Sequence, residues 1–509
     1  MTAQLIRTRF GPAVAAFVIL VVAPAAARAQ EPLRDVREAL GPRFDESRER
    51  QPPRRIHARA NVDSVRRWNQ IAVDASGIDH TPPAAGETRV YGEQLGPGRA
   101  SRALAIVHIA IFDAVNAIAG GYQSYTRLGR APRGTSQDAA VASAAHDTLV
   151  AVFPSQARSF DALLAADLDR IRDRSARTKG VALGQRAAAA ILAHSANDGS
   201  QHPEPHMGVD FIPSDEPGWW RQDPISQSPV ALGARWGEVR PFVLRSGDQF
   251  RAPEPPPLES EAYAVAYAEV AALGGDGVVT PTLRSAEQTE IGTYWAYDGT
   301  PSLCAPPRLY NQIALVIADR RHTGEVELAR LLALVNVAMA DAGIAIWESK
   351  YHYQYWRPVT GIREADPGTG PTLAGDGNDA TLGDPSFSPL GAPASNLTGP
   401  NFTPPFPAYP SGHAGFGGAL FQTLRRFYRT DAIAFTFVSD EFNGETLDNQ
   451  GNVRPLLPRS FTSLSQAEEE NGQSRIYLGI HWSFDKTEGI AQGRRVADYV
   501  YRNAFTRVR

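Results

Sequence analysis

Cysteine is almost absent from these 509 residues, Cys304 being the only one. An internal disulfide is therefore excluded, and a thiolate zinc site lacks the companions it needs. Positive charge is not in excess either: 51 Lys and Arg stand against 55 Asp and Glu, for a net charge of −4. The basic footprint of a general nucleic-acid partner is missing, so any local cluster of cations must attract its anion by itself. Beyond residue 30 no apolar run reaches the length that crossing a bilayer requires. The most apolar later segments carry Asp113 in one and Glu327, Arg330 and Asp341 in another, and both are expected as buried helices. No internal repeat is evident, and strands are few.

A composition of 43% hydrophobic and 21% charged residues is ample for a sizeable core in two or three structural units. At the N-terminus, Arg7 and Arg9 precede the apolar run Ala13 to Ala23, and Ala27-Arg28-Ala29 ends in small residues. That pattern reads as a signal peptide over residues 1–29, cleaved after Ala29, for a secreted or periplasmic protein. An uncleaved membrane anchor is the alternative. Residues 31–60, rich in Arg, Glu and Pro, read as a flexible mature N-terminus.

From there the pattern is helical. Val62, Val65, Trp68 and Ile71 recur at helical spacing, and Ala103, Ile106, Val107, Ala110, Ile111, Ala114, Val115 and Ile118 form one broad face over 99–119. Alanine-rich amphipathic helices follow over 137–153, 154–172 and 180–197. Asp113 is expected to make a buried hydrogen bond, not to catalyse. Residues 198–258 turn Pro- and Gly-rich with the pair Trp219-Trp220, a long ordered connection and a candidate boundary or channel wall. Its His202 and His206 are separated by Pro203 and Pro205, which prevent the regular helix a metal pair needs. Helices resume over 259–273, 285–295, 309–321 and 324–346. These readings divide the mature chain into an N-terminal helical unit, 30–258, and a C-terminal helical catalytic domain, 259–509. The fold class is all-α, two helical bundles.

Three clusters in the last third carry chemistry: Lys350 to Arg357-Pro358, then Pro410-Ser411-Gly412-His413, then Ser474-Arg475 with His481 and Asp485. An extended piece from Tyr351 to Pro358 is expected to deliver Lys350 and Arg357, with Pro358 forcing its predecessor out of the helical region. Lys350, Arg357 and Arg475 supply cationic donors, and Ser411 and the Gly412 amide supply neutral ones. That is what a tetrahedral oxyanion such as phosphate or vanadate requires. Ser411, Gly412 and His413 fall at the start of a helix expected over 411–428, whose unsatisfied N–H groups point at any anion there. One histidine can attack or ligate the central atom while the other moves a proton. Asp485, four residues after His481, can accept its far N–H and fix the tautomer. Taken singly, a Lys or Arg in an aromatic-rich stretch is usually a solvated charge with a buried stem. The ordered set carries the argument. The loop 364–408 contains Asp376-Gly-Asn378-Asp379 but lacks the ligand ladder of a calcium site.

Together, Lys-x6-Arg-Pro, Pro-Ser-Gly-His and Ser-Arg-x5-His-x3-Asp resemble the signature shared by the vanadium-dependent haloperoxidases and the type 2 phosphatidic acid phosphatase superfamily. The resemblance implies that His481 is the covalent ligand of vanadate. It implies that Lys350, Arg357, Ser411, Gly412 and Arg475 bind the vanadate oxygens, and that His413 is the acid/base that deprotonates hydrogen peroxide. Lys350 would then polarise the peroxide for attack by halide, yielding hypohalous acid or an equivalent species that halogenates an organic acceptor. The likeness to the chloroperoxidase branch covers roughly residues 285–485, including Tyr294-Trp-Ala-Tyr-Asp-Gly299, Pro307-Arg-Leu-Tyr-Asn-Gln312 and Pro404 to His413. By the same likeness Trp347 and Phe406 line the halide approach, and Asp298 pairs with Arg475 or His413. Ordinary core packing is the plainer role for all three. The competing function is a soluble phosphatase in which His481 forms a phosphohistidine and His413 protonates the leaving alcohol. A non-catalytic anion binder would not need two histidines and an aspartate so arranged.

Overall fold

Helices start where the sequence supplies caps. Asp63, Ser136, Asp173 and Ser260 each accept an N–H of the first turn behind them, and Ser285 with Gln288 forms a capping box. Prolines occupy the first turn at Pro97, Pro306 and Pro358, where no helical N–H is needed. The computed structural model describes residues 33, 35–44, 56 and 62–508, so the expected signal peptide lies outside the described residues. In chain order the helices are α1 (Val36–Leu40), α2 (Ser64–Asp79), α3 (Gly96–Ala119), α4 (Gln137–Val152), α5 (Ala157–Asp169), α6 (Arg174–Ser195) and α7 (Glu261–Leu273). They continue with α8 (Ala286–Tyr294), α9 (Pro306–Arg320), α10 (Glu325–Tyr353), α11 (Pro358–Arg363), α12 (Gly412–Tyr428), α13 (Leu464–Tyr477) and α14 (Ser483–Asn503).

The all-α expectation is met apart from one antiparallel pair, β1 (Phe435–Asn443) and β2 (Leu456–Phe461), with Phe435 opposite Phe461. Phe435, Phe437 and Ser439 alternate inward against exposed Thr436 and Val438. This is the period of two of a strand with one buried face.

At the centre α10 runs beside α3, α12 and α14. From Leu328 to Ile346 its residues are buried on all sides, each large aliphatic contributing about 1.5–3 kcal/mol. Helices α3 and α10, 24 and 29 residues long, are long and apolar enough to cross a membrane. That corrects the expectation from the sequence, which stopped at their charged residues. Both are core helices, with 89% and 100% of their apolar windows buried. The charges inside them are partnered: Asp341 accepts the amides of Phe242, Val243 and Leu244 at 2.7–2.9 Å and so ties the 198–258 connection to α10. Asp113 accepts from Tyr125 and Thr126, the structural task foreseen for it.

Two further expectations are corrected. The helix containing Lys350 does not stop at Ile346 but continues to Tyr353, where Gln354 ends it in a left-handed conformation with φ 46°. Tyr351 to Tyr353 are therefore helical, and Lys350 is delivered by the last helical turn. Within the N-terminal stretch expected to be flexible, residues 35–44 are packed: Val36 and Phe44 are fully buried, and Phe44 meets Phe402 edge to face at 5.6 Å.

Candidate active site

The approach of α12 to α14 sets the site. A Cβ at Gly418 would stand 2.6 Å from the Ile490 carbonyl oxygen, and one at Gly489 would stand 2.7 Å from that of Ser411. One at Gly493 would collide with the Gly415 carbonyl. Only glycine permits this backbone contact. It brings the start of α12, with Ser411 as its N-cap, against the start of α14, and the Ser411 amide donates to the Asp485 carbonyl at 3.0 Å.

His481 lies just ahead of α14, not within it. Trp482 is the N-cap, and Asp485 in the first turn accepts the Trp482 amide at 3.0 Å and His481 Nδ1 at 2.8 Å through Oδ2. On the other side of the ring, Arg357 Nη1 is 2.9 Å from His481 Nε2. A guanidinium can only donate, so Nε2 accepts and the proton resides on Nδ1. This fixes the tautomer with its lone pair on the nitrogen facing the arginine. His413 has the opposite arrangement: its Nε2 makes a short hydrogen bond to the Ala296 carbonyl, which can only accept, leaving the lone pair on Nδ1. Its backbone is held by Tyr310 and Asn471, which donate to its carbonyl at 2.9 and 3.0 Å.

The three cations converge. Lys350 Nζ donates to the carbonyls of Pro407 and Ala408 at 2.7 and 2.9 Å. Arg357, the N-cap of α11 with ψ 155°, donates to those of Phe406 and Ile480. Arg475 bonds Asp298 Oδ1 at 2.7 Å through Nη2, while its Nε and Nη1, fully buried, have no partner among the described residues. Asp298 lies 4.0 Å from His413 Nε2, so its pairing is with Arg475. Trp347 and Phe406 pack with ring centroids 4.9 Å apart, and Lys350 Nζ sits over both rings. Lys350, Arg357, His413, Arg475, His481 and Asp485 thus come together with Asp298, Trp347 and Phe406, and Ser411 and Gly412 stand at the start of α12 beside them.

The electrostatics call for an anion. Burial lowers the Lys350 ammonium well below its usual range, and Arg357 and Arg475 lower it further. Burial also brings Arg357 down to about 9 and pushes the Asp485 carboxyl up to about 7. His413 and His481 are both held well below 6.5, first by burial and then by neighbouring cations. Dry, mutually repelling cations gain from a multivalent oxyanion, since each charge-assisted hydrogen bond to it replaces repulsion by attraction. The unpartnered Arg475 donors, the His481 lone pair and the first-turn N–H groups of α12 fit that anion. No cluster of three His, Cys, Asp or Glu side chains among the described residues is arranged for a metal cation.

The sequence did not reveal Tyr310 and Asn471, whose effect on His413 is through backbone. Tyr310 does lie in the family-like stretch 307–312, and that was its one signal. Leu40 of α1 and Leu95 at the N-cap of α3 line the cavity above the site and carried no signal.

A family model described as the second helical-bundle domain of VCPO matches residues 330–509. Vanadium chloroperoxidase of Curvularia inaequalis is 31% identical over 510 aligned positions, covering 84% of this chain and 79% of that protein. Among solved structures, a bacterial vanadium-dependent iodoperoxidase aligns with a TM-score of 0.67 at 23% identity, over 86% of this chain and 96% of that one. An apo bacterial vanadium-dependent chloroperoxidase aligns with a TM-score of 0.60 at 18% identity, over 81% and 96%. At these identities the structural likeness speaks for the fold alone.

Proposed function

The chain belongs to the vanadium chloroperoxidase family, and from that premise we propose that it is a vanadate-dependent haloperoxidase, oxidising halide with hydrogen peroxide to hypohalous acid or an equivalent halogenating species. The observation that carries the reading is the pair of unpartnered, fully buried Arg475 donors in a site where His481 turns a fixed lone pair toward Arg357.

Vanadate, when bound, supplies a Lewis-acidic centre at which peroxide becomes electrophilic without a change in metal oxidation state. Lys350, Arg357 and Arg475 would neutralise the oxyanion, and the Ser411 hydroxyl and Gly412 amide would complete its donors. His481 would hold the oxyanion's central atom through Nε2 in place of the Arg357 contact, while Asp485 holds the Nδ1 proton and keeps that ring basic. His413 accepts the peroxide proton at Nδ1 while its Nε2–H stays on the Ala296 carbonyl. Burial keeps the imidazole neutral, and so ready to accept, at pH values where a free histidine would be charged. Lys350 would donate toward the reacting oxygen, and Trp347 and Phe406 would exclude water from the halide's approach. Asp298 positions Arg475.

A soluble phosphatase would use the same residues, but its support is the weaker because the 31% identical relative is a peroxidase. The deciding experiment loads the purified protein with orthovanadate and assays peroxide-dependent halogenation of a phenol dye with chloride, bromide and iodide, beside hydrolysis of p-nitrophenyl phosphate. Halogenation that needs vanadate and vanishes in His481→Ala is expected. Phosphatase activity that vanadate inhibits, without halogenation, refutes the proposal. Export with cleavage after Ala29 belongs to the same proposal, and an intact mass of the mature protein tests it.

A further inference from the structure

The Pro- and Gly-rich connection, residues 198–258, reaches the site at one turn. A bridge between His206 and Val230 leads into it, with the Met207 amide donating to the Pro229 carbonyl and the Ala231 amide to the Pro205 carbonyl, both at 2.8 Å. Leu232 follows, and its peptide groups reach in two directions. Its carbonyl accepts Trp347 Nε1 at 3.1 Å and the Tyr351 hydroxyl at 3.0 Å, while its amide donates to the Pro405 carbonyl at 2.9 Å. One residue thus ties together both aromatic walls of the proposed halide approach, Trp347 and the segment carrying Phe406, whose ring centroids are 4.9 Å apart.

Glu204 holds that turn in place. Its carboxylate is buried, and in short hydrogen bonds it accepts the Gly233 amide through Oε2 and Arg99 of α3 through Oε1. Arg99 also donates to the His202 carbonyl at 2.6 Å, so its fork closes on the same segment. Resting on the haloperoxidase reading, we propose that Glu204 is a positioning residue for halide selection: it fixes the turn at Leu232 and Gly233, and through that turn the placement of Trp347 and Phe406 that a halide must pass.

A buried ion pair is seldom the most stable filling for its space, since apolar residues of similar volume commonly match or exceed it. Its directional hydrogen bonds do fix where the attached backbone lies. The turn passes its position on to the ring, because Gly233 has φ 76° and a Cβ there would stand 2.4 Å from Trp347 Cδ1 and Nε1. The glycine backbone therefore lies directly against the indole edge. Lys350 Nζ is 5.7 Å from the centre of that ring and 5.1 Å from the centre of Phe406, so the two walls flank the cation expected to act on the reacting oxygen. A halide sheds water to pass between such walls, and bromide holds its water more strongly than iodide does. A misplacement of about 1 Å set by a distant residue can cost about 100-fold, and walls that admit water handicap bromide more than iodide.

The test uses the full chain loaded with orthovanadate and compares kcat/KM for bromide and for iodide at saturating peroxide. Glu204→Gln keeps the shape of the side chain but cannot accept from both Gly233 and Arg99. In this variant the bromide-to-iodide ratio is expected to fall by about tenfold, the worth of one hydrogen bond of about 1.4 kcal/mol, with KM for peroxide unchanged. Fluorine NMR of fluorotryptophan-labelled protein, with Trp347→Phe identifying the resonance, is expected to show the Trp347 signal displaced in Glu204→Gln with or without vanadate. A purely structural Glu204 would lower the folded yield and leave both the ratio and the resonance where they are. A folded Glu204→Gln protein with an unchanged ratio overturns this inference alone. Where that variant does not fold, Arg99→Lys keeps the charge and loses the fork, and it is expected to move the ratio in the same direction. An unchanged ratio in Arg99→Lys then overturns the inference equally. Wild-type protein that oxidises neither halide overturns the haloperoxidase reading and this inference with it.

Discussion

Replacing Arg475 by glutamine isolates the anion-binding claim. Arg475 makes one side-chain hydrogen bond, to Asp298, and its Nε and Nη1 are buried and unpartnered among the described residues. If those two groups are the donors for vanadate, Arg475→Gln removes two charge-assisted bonds worth about 1.5–3 kcal/mol each. The lower bound, about 3 kcal/mol, weakens vanadate binding by roughly 100-fold. The effect reads out in thermal unfolding with and without orthovanadate. At a concentration about 100 times the dissociation constant, vanadate stabilises the wild type by about 2.7 kcal/mol, and at the same concentration a 100-fold weaker site gains only about 0.4 kcal/mol. The variant without vanadate also loses stability, because Asp298 is left buried without its partner. Its carboxyl, already raised by burial, limits that loss by taking up a proton. The decisive quantity is therefore the vanadate-induced shift in Tm and not the Tm itself. An Arg475→Gln protein that vanadate stabilises as much as it does the wild type would show that these donors do not face the anion.

Two further outcomes test the scaffold. His108 on α3 is fully buried with neither ring nitrogen partnered among the described residues, and burial lowers it to about 3. Between that value and 6.5 the unfolded chain binds a proton that the folded chain does not, so stability falls as pH falls through this window, by about 1.4 kcal/mol per pH unit below 6.5. His108→Leu is expected to remove this acid sensitivity and to add about 1–3 kcal/mol at neutral pH by relieving an unsatisfied polar group, and urea unfolding at pH 5 and pH 7.5 checks both. A histidine variant as acid-sensitive as the wild type would refute it. Gly493→Ala drives a methyl group into the Gly415 carbonyl, and its expected cost is about 3 kcal/mol or more. Because that contact seats the start of α12 beside His481, halogenation is expected to fall more than the loss of folded protein explains, which activity per folded molecule by circular dichroism measures.

The division between sequence and structure follows from what each residue's partner is. Lys350, Arg357, His413, Arg475, His481 and Asp485 were legible because charged and imidazole groups at fixed spacing announce their chemistry whatever surrounds them. The helices were legible because the period of 3.6 is local. The continuation of α10 through Tyr351 to Tyr353 was not, because β-favouring aromatics there are held helical by tertiary packing that overrides propensity. Nor was α1, whose order comes from Ser228 and Phe402, 189 and 358 residues beyond the Ala39 and Phe44 they hold (228 − 39 and 402 − 44).

The sequence by itself determined the donor set and the fold class, since both depend on residue identity and short-range spacing. Only the tertiary structure decided which atoms of that set are available. Lys350 is held by carbonyls 57 and 58 residues away, and Arg357 reaches Ile480 and His481 across 123 and 124. The His481 tautomer, the two unpartnered nitrogens of Arg475 and the aromatic cavity above them all depend on such distant contacts. A hydrogen bond is satisfied or left open by whatever the folded chain brings within about 3 Å, and spacing along the sequence does not carry that information.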